Sequence, residues 1–488
     1  MKSFVKTAVY KIMRNIRFKT GLAIIALLFC IRANSQNKIF FNIDNYENDT
    51  LIIGNYILDK QLVQDTLFAN EEDQFVLQDS LHEGVYLVLT LPDNQFLQFL
   101  VNNDEPEFTM HFDYADKSNI RFEGSEDNTA FQYFVDFINE KRPLSDSLRV
   151  QISNSNETDI DVSGIQERLA LLNAQLKAVQ DSLIEVNPDF LSTIMIKANK
   201  EIVMPEFEAT EDGRLAQYYY FKKHYFDYID LKDPRALRSP FYFHRVNYYV
   251  DKLTPKSPDS IAQSIDSLLH WMGEDSEAYK YYLSHFLNSY AQTKIVGLDA
   301  VYVHIVDNYY GKGKAPWVEE ENMLKILDRA AKLRPVLLGE IGEDVQVFQK
   351  DGTPVSISDI DYKYLVLLFW APDCGHCKKS MPDFVDFNER YKDLGIKTFA
   401  ICTKYRDKVK GCWESVEEKN MSGFINGADE FNRSNFKLKY YVDSTPKVYI
   451  LDKDRKIIMK NIGGNQLDAV FEQILSREEK AASSNPEK

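Results

Sequence analysis

Residues 36–125 contain short runs in which apolar and polar positions alternate, separated by turn-rich segments such as 45–49 and 81–84. Successive side chains of a strand point to opposite faces, so this period of two indicates strands with one buried face. Because no helical pattern separates the runs, we predict an antiparallel β-sandwich-like domain over residues 36–125. The predicted strands are 39–43, 50–53, 74–77, 85–91, 95–101, 107–114 and 120–122.

Residues 126–334 follow a helical period and predict an all-α domain. Its clearest stretch spaces apolar residues four and three positions apart, at Ile165, Leu169, Leu172, Leu176, Val179 and Leu183. Such a seam fits a helix packed within its own domain or a dimer contact, and the pattern leaves both open. Further helices are predicted at 214–231, 257–272, 276–293, 298–310 and 322–333. Tyrosine clusters on them are interpreted as rings that fill helix–helix contacts, with a sugar-binding surface as the alternative.

From residue 335 onward, strand and helix patterns alternate, which is typical of an α/β layered domain. A continuous apolar run at 365–370 has the length of a buried strand, and further strands are predicted at 398–402, 447–451 and 456–462. Helices are predicted at 377–392, 409–420 and 467–475. We place this domain at residues 335–476 and expect a disordered tail at 477–488.

The first 35 residues have the features of a secretory signal peptide. Positions 1–20 carry six basic and no acidic residues, an apolar run follows at 21–31, and small residues precede a predicted cleavage before Gln36. The run is too short to span a bilayer, which needs about 20 residues. We therefore expect a periplasmic or otherwise extracytoplasmic protein that is soluble after cleavage, with no membrane span in its mature form. An uncleaved anchor and a lipoprotein attached through Cys30 are the alternatives.

Composition and charge exclude several classes of protein. Apolar residues make up 44% and charged residues 27% of the 488 residues, which excludes a disordered, collagen-like or multispanning membrane chain. The net charge of −16 offers no cationic footprint for a phosphate backbone, so nucleic acid is not expected as a partner. The scattered histidines lack the spacing of a metal site, and five cysteines are too few for a disulfide-stapled scaffold.

The candidate chemistry lies just after the predicted strand at 365–370, where Gly375 and His376 separate Cys374 from Cys377. A strand–turn–helix context puts Cys374 at a helix N-terminus, whose N–H groups and dipole favour a thiolate. Cys374 is then the attacking nucleophile of disulfide exchange, and Cys377, one turn later, is the resolving thiol. An imidazole at His376 would stabilise the thiolate and make the disulfide more oxidising. This chemistry requires no bound cofactor.

This motif resembles the thioredoxin superfamily and, more closely, the TlpA/ResA-like extracytoplasmic thiol:disulfide interchange proteins. The matching positions are Trp370, Lys378, Pro382, a cis-proline loop at Thr445-Pro446 and a glycine turn at Gly463. The resemblance implies protein thiol or disulfide substrates, an unidentified redox partner, and a substrate groove formed by Trp370, Gly375, Thr445, Pro446 and Gly463. The whole arrangement also resembles bacterial envelope proteins with an uncharacterised β-domain and helical middle.

The sequence departs from thioredoxin below the active site, where Leu368 stands at the position of a buried Asp. Which group deprotonates Cys377 is therefore open. One alternative is a zinc site formed with Cys402 and Cys412. Cys402 is more simply interpreted as a buried apolar residue, and Cys412 either pairs with it or stays free. A peroxiredoxin is another alternative, but its Thr-x-x-Cys motif is absent, because Ala371 occupies the position of the Thr. A third is a binding or scaffold protein whose front domains capture an envelope partner or glycan.

Overall fold

A computed structural model describes residues 36–92, 95–155 and 162–484 of the chain. The predicted signal peptide with Cys30 and the last four residues of the predicted tail lie outside the described residues. The chain forms two compact units. One comprises the described residues up to Leu253 together with Trp271–Ala278, and the other comprises Thr254–His270 and the described residues from Tyr279 onward. The division falls within the predicted helical region, so later helices of that region belong to the unit that contains the C-terminal sheet.

The first unit begins with two four-stranded sheets. Their strands are β1 (Asn37–Asp44), β2 (Thr50–Ile57), β3 (Lys60–Phe68), β4 (Phe75–Asp79), β5 (Gly84–Thr90), β6 (Gln95–Val101), β7 (Glu107–Asp113) and β8 (Arg121–Glu123). The sheet orders are β4-β1-β7-β8 and β3-β2-β5-β6. Alternate residues are buried, and Ile39 and Phe41 of one sheet share a core with Ile53 and Phe99 of the other. The predicted sandwich-like domain is confirmed.

Two details of this domain differ from the prediction. Strand β3 was not predicted, because it pairs with β2 at a sheet edge and is exposed along most of its length, so its sequence shows no alternation. Strands β1 and β7 pair in parallel, whereas the sequence predicts an antiparallel domain. Alternation reports which face of a strand is buried and carries no information about the direction of its neighbour.

Helices dominate the middle of the chain. They are α1 (Glu126–Ser155), α2 (Ser163–Val186), α3 (Leu191–Ala198), α4 (Glu211–Lys223), α5 (Pro234–Leu237), α6 (Pro240–Asp251), α7 (Pro258–Met272), α8 (Glu277–Ala291), α9 (Asp299–Ile305), a π-helical turn (Val306–Tyr310) and α10 (Glu320–Leu333). The short helices begin with strong local signals: Asp233 and Ser239 cap α5 and α6, and a proline follows each cap. None of the described helices is both long and apolar enough to cross a membrane.

The heptad seam lies on α2, which packs against α1 in the same unit, and its apolar residues are half-buried. The seam therefore takes part in packing within the domain. Five of the clustered tyrosines are interior residues, as the first interpretation expects: Tyr225, Tyr249, Tyr282, Tyr309 and Tyr310 are buried. Tyr219 and Tyr248 are exposed.

The elements of the C-terminal α/β region are β9 (Gln346–Phe348), β10 (Pro354–Ser356), β11 (Tyr364–Trp370), α11 (Gly375–Tyr391), β12 (Ile396–Cys402), α12 (Val409–Glu418), β13 (Ile425–Ala428), α13 (Phe436–Lys439), β14 (Lys447–Asp452), β15 (Ile457–Lys460) and α14 (Leu467–Ser484). The strands form a seven-stranded sheet of order β10-β9-β13-β12-β11-β14-β15. Strands β11, β12 and β13 are parallel, and β14 runs antiparallel to β11. The ends of β11, β12 and β13 and the start of β14 therefore lie at one edge of the sheet.

Every residue of β11 is buried, because helices and loops cover both faces of the sheet. Val366, Leu368 and Trp370 lie in the same core cluster as Cys377, and Leu367 and Phe369 lie in a second cluster on the other side. This double burial explains why the sequence reads as a continuous apolar run rather than as an alternation.

The last helix corrects the predicted tail. Helix α14 continues to Ser484 instead of ending at Leu475, so the expectation of a disordered segment from residue 477 is wrong as far as Ser484. Glu478 accepts a hydrogen bond from Tyr364 at 2.8 Å and pairs with Lys363 at 2.7 Å. These tertiary contacts, together with good helix formers such as Glu479 and Lys480, extend a helix that its apolar pattern alone would end earlier.

Candidate active site

The two cysteines lie where the buried strand β11 gives way to helix α11. Cys374 is the N-cap residue of the helix, and its Sγ accepts a hydrogen bond from the backbone N–H of Cys377 at 3.4 Å. Cys374 is half-buried, whereas Cys377 has only 1% of its surface exposed. Both are free thiols in this structure. The arrangement presents one sulfur to solvent and keeps the other behind it.

The surroundings drive the pKa values of the two thiols in opposite directions. Burial raises the pKa of Cys374, but hydrogen bonds from the Thr445 side chain and from the backbone N–H groups of Cys377 and His376 outweigh it, so the pKa lies below its usual range. Burial is also the main influence on Cys377 and raises its pKa to about 11. Cys374 is therefore the thiol that ionises first and is accessible to a substrate.

Residue Thr445 connects the cysteines to the loop before β14. The Cys374 thiol donates a hydrogen bond to the Thr445 carbonyl oxygen at 3.0 Å, and the Thr445 side chain lowers the pKa of both thiols. The Thr445–Pro446 peptide bond is cis, in agreement with the predicted cis-proline loop. When Cys374 loses its proton, the carbonyl can no longer accept from it, and the hydroxyl and N–H donors are left to hold the thiolate.

The remaining predicted substrate-binding residues differ in their exposure and surroundings. Gly375 is exposed and has open space beside its Cα. The turn at Gly463 lies against α11, because a Cβ on the next residue, Gly464, would meet Ser380 and Asp383 of that helix. The substrate-binding assignment of Trp370 is wrong for its side chain, which is 1% exposed and belongs to the core cluster around Cys377.

His376 and Leu368, the two predicted neighbours of the cysteine pair, differ in burial. The His376 side chain is exposed, and its backbone N–H is one of the groups that lower the pKa of Cys374. Leu368 is fully buried in the cluster that contains Cys377. An aliphatic side chain below the buried thiol cannot accept its proton, so the structure retains the departure from thioredoxin seen in the sequence.

Sequence reasoning missed a loop that supports the active-site segment. Cys402 and Cys412 form a disulfide, which overturns the alternative zinc site that would use them. Between them, Thr403 donates to the Trp370 carbonyl through its N–H at 2.8 Å, and Lys404 pairs with Asp373 at 2.7 Å. The signal in the sequence is the presence of Cys402 and Cys412, whose pairing the sequence leaves open.

Comparisons with known proteins assign families to two segments of the chain. The Redoxin family matches residues 340–475, and a domain of unknown function, DUF5106, matches residues 179–334. The thiol-disulfide oxidoreductase ResA of Bacillus thuringiensis subsp. konkukian is 26% identical over 142 residues, which cover 28% of this chain and 78% of that protein. ResA of Oceanobacillus iheyensis is 36% identical over 64 residues, which are 13% of this chain and 31% of that protein.

Among solved structures, a domain of a possible thiol-disulfide isomerase from Cytophaga hutchinsonii is 30% identical, and the match covers 30% of this chain and 97% of that one, with a TM-score of 0.28. A thioredoxin-like protein from Bacteroides caccae is 16% identical over 56% of this chain and 98% of that one, with a TM-score of 0.43. The family match coincides with the segment that holds the dithiol and the cis-proline loop, and the match to ResA of Bacillus thuringiensis has a similar length of 142 residues. Residues 340–475 therefore belong to the redoxin family, related to the ResA-like proteins, and give the chain the activity of a thiol–disulfide oxidoreductase.

Proposed function

We propose that the protein exchanges disulfides with protein substrates outside the cytoplasm, through Cys374 and Cys377. The observation that carries this proposal is the asymmetry of the pair. The half-buried Cys374 has a lowered pKa, and the buried Cys377 has a pKa raised to about 11. A nucleophile must be ionised and accessible, whereas a resolving thiol must wait until the nucleophile is bonded to substrate.

The exchange proceeds in two balanced steps. The Cys374 thiolate attacks one sulfur of a substrate disulfide, forms a mixed disulfide and expels the other substrate sulfur as a thiolate. The Cys377 thiolate then attacks Sγ of Cys374, closes the Cys374–Cys377 disulfide and releases the second substrate thiol. The substrate gains two electrons and the enzyme loses them. In the reverse direction, the oxidised pair introduces a disulfide into a dithiol substrate.

Thr445, Pro446, Gly375 and Gly463 form the proposed substrate groove. Gly375 offers an unobstructed surface beside Cys374, and the Thr445 carbonyl that accepts from the Cys374 thiol becomes available to a substrate N–H once that thiol is bonded. Pro446 has no backbone N–H, so it cannot donate a hydrogen bond to a substrate carbonyl that would compete with the pairing at Thr445. His376 is proposed to favour the Cys374 thiolate from its exposed position.

A compartment outside the cytoplasm is part of the proposal. It is supported by the signal-like first 35 residues and by the Cys402–Cys412 disulfide, since such bonds persist in oxidising compartments. We expect the mature protein to begin at Gln36 and to be recovered from the envelope fraction. Mass spectrometry of the native protein tests this, and an intact Met1 or a lipid on Cys30 would contradict it.

Trapping tests the exchange mechanism in the full chain. In Cys377→Ala, the mixed disulfide cannot be resolved, so protein adducts should accumulate on Cys374 and disappear with dithiothreitol. The matched control is the double variant Cys374→Ala/Cys377→Ala, which keeps the Cys402–Cys412 disulfide. Equal capture by the control, or capture by neither protein when both are folded, would contradict the mechanism. The latter result would favour a scaffold role for the front domains.

A further inference from the structure

Two segments flank the active-site loop at the same edge of the C-terminal sheet. Segment 403–410 follows β12, and segment 429–439 follows β13. Since β11, β12 and β13 are parallel, both segments leave the sheet at the end where β11 leads into Cys374. We refer to these two segments together as the cationic rim.

Direct contacts join the rim to the active-site loop. Lys404 pairs with Asp373, the residue before Cys374, at 2.7 Å. The N–H of Arg406 donates to the Glu430 carbonyl at 3.0 Å, which ties the first rim segment to the second. The Lys437 ammonium lies 4.5 Å from the centre of the Tyr405 ring. The first rim segment therefore lies beside the active-site loop, and the second is joined to the first.

The charge of the rim is opposite to that of the whole chain. The rim has seven basic and three acidic residues, whereas the chain has 58 basic and 74 acidic residues. Of the rim acids, Asp429 is buried and accepts hydrogen bonds from Ser434. Two cations of the rim act electrostatically on the active-site loop, since Lys404 and Lys408 both lower the pKa of Asp373.

The rim also exposes two large apolar side chains. Phe431 is 62% exposed and Leu438 is 64% exposed. The Arg433 guanidinium is 5.1 Å from the Phe431 ring centre, and the exposed Lys437 directly precedes Leu438 in the chain. Apolar side chains exposed among cations fit a partner that carries apolar and acidic groups close together.

We propose that the cationic rim selects protein substrates whose disulfide lies near an acidic segment that also carries an apolar residue. The proposal rests on the disulfide exchange proposed above and adds the class of substrate. Opposite charge steers the segment toward the rim before the chemical step, and Phe431 and Leu438 provide apolar contacts after arrival. Steering of this kind raises association rates by about 10- to 1,000-fold at low salt and fades as salt screens the charges.

Disulfide-bonded peptides of equal length test the proposal on the full chain. Three peptides share the residues beside their cysteines and carry an acidic segment with one Phe, a neutral segment with the same Phe, or a basic segment with the same Phe. We expect kcat/KM for dithiothreitol-driven reduction at ~20 mM salt to be at least tenfold higher for the acidic than for the basic peptide. At ~500 mM salt the difference should shrink to within about threefold.

A charge-reversed variant then locates the effect. Arg433→Glu/Lys437→Glu changes two exposed residues and should lower kcat/KM for the acidic peptide at least fivefold at low salt. The control Lys453→Glu/Lys456→Glu makes the same change of charge in the exposed β14–β15 turn, at the opposite end of the sheet, and should change it less than twofold. If the rim variant does not fold, the salt dependence of the unaltered protein still decides whether charge selects the substrate.

Reduction of hydroxyethyl disulfide, which is small and uncharged, separates the two proposals. If the unaltered chain does not reduce it, the exchange function fails. If the chain reduces it but treats the three peptides alike, or if the control variant loses as much activity as the rim variant, then the rim proposal is overturned and the exchange function stands.

Discussion

Replacing Thr445 by Val tests how the reactive thiolate is stabilised. Val keeps the β-branched shape and leaves the backbone carbonyl in place, so the change removes the hydroxyl that lowers the pKa of Cys374. A hydrogen bond to a charged group contributes about 1.5–3 kcal/mol. We use the lower end because Cys374 is only half-buried and water can replace part of the lost bond. About 1.4 kcal/mol corresponds to one pKa unit, so the pKa of Cys374 should rise by about one unit.

The assay is the rate of Cys374 alkylation by iodoacetamide as a function of pH, in a Cys377→Ala background that leaves Cys374 as the one free thiol of the described residues. A thiol with a pKa one unit higher has about ten times less thiolate at a pH well below both values. Each thiolate reacts about threefold faster, however, because nucleophilicity rises with pKa. The variant should therefore react about threefold more slowly at low pH and about threefold faster on the high-pH plateau, with the midpoint shifted upward.

The matched control is Ser444→Ala, which removes a hydroxyl from the neighbouring exposed residue that bonds Asp443 instead of a cysteine. Its midpoint should stay within about 0.3 pH units of the parent's. If Thr445→Val is folded, as judged by circular dichroism, and its midpoint is unchanged or lower, then the hydroxyl does not stabilise the thiolate. The backbone N–H groups of the helix start would then carry the whole effect.

Three further predictions concern the surroundings of the pair. His376→Pro should lower the reduction potential by at least ~30 mV, measured by equilibration with glutathione, because it removes a group that stabilises the reduced form; an unchanged potential would remove His376 from the mechanism. Closure of the Cys374–Cys377 disulfide should accelerate about tenfold per pH unit between pH 7 and 9 in stopped-flow measurements, because the Cys377 thiolate becomes more populated as pH approaches its raised pKa of about 11; a flat profile would show that another group takes its proton. Replacing Cys402 and Cys412, ten residues apart, by Ala should lower the free energy of unfolding of the C-terminal region by about 2–3 kcal/mol, followed by tryptophan fluorescence in urea; no change would mean that the disulfide does not constrain the unfolded chain.

The sequence by itself determined the C-terminal domain and its reactive pair. An unbroken apolar run, such as that of β11, is stable only when both faces are covered, which predicts a central strand of an α/β domain. Two cysteines spaced by two residues at the start of the following helix specify which thiol is exposed to the helix N-terminus. These are local properties, so the order of residues is sufficient to predict them.

Other features depend on residues that are distant in sequence, and only the tertiary structure decided them. Strand β3 is held by its neighbour rather than by a buried face, and the last helix extends to Ser484 with Glu478 bonded to Tyr364. Burial raises the pKa of Cys377, and the lowered pKa of Cys374 depends in part on Thr445, which lies far from the cysteines in the chain. The parallel strands bring the two rim segments to the same edge of the sheet as Cys374. No periodicity of a single segment encodes such contacts, because their energy belongs to pairs of residues that only the fold brings together.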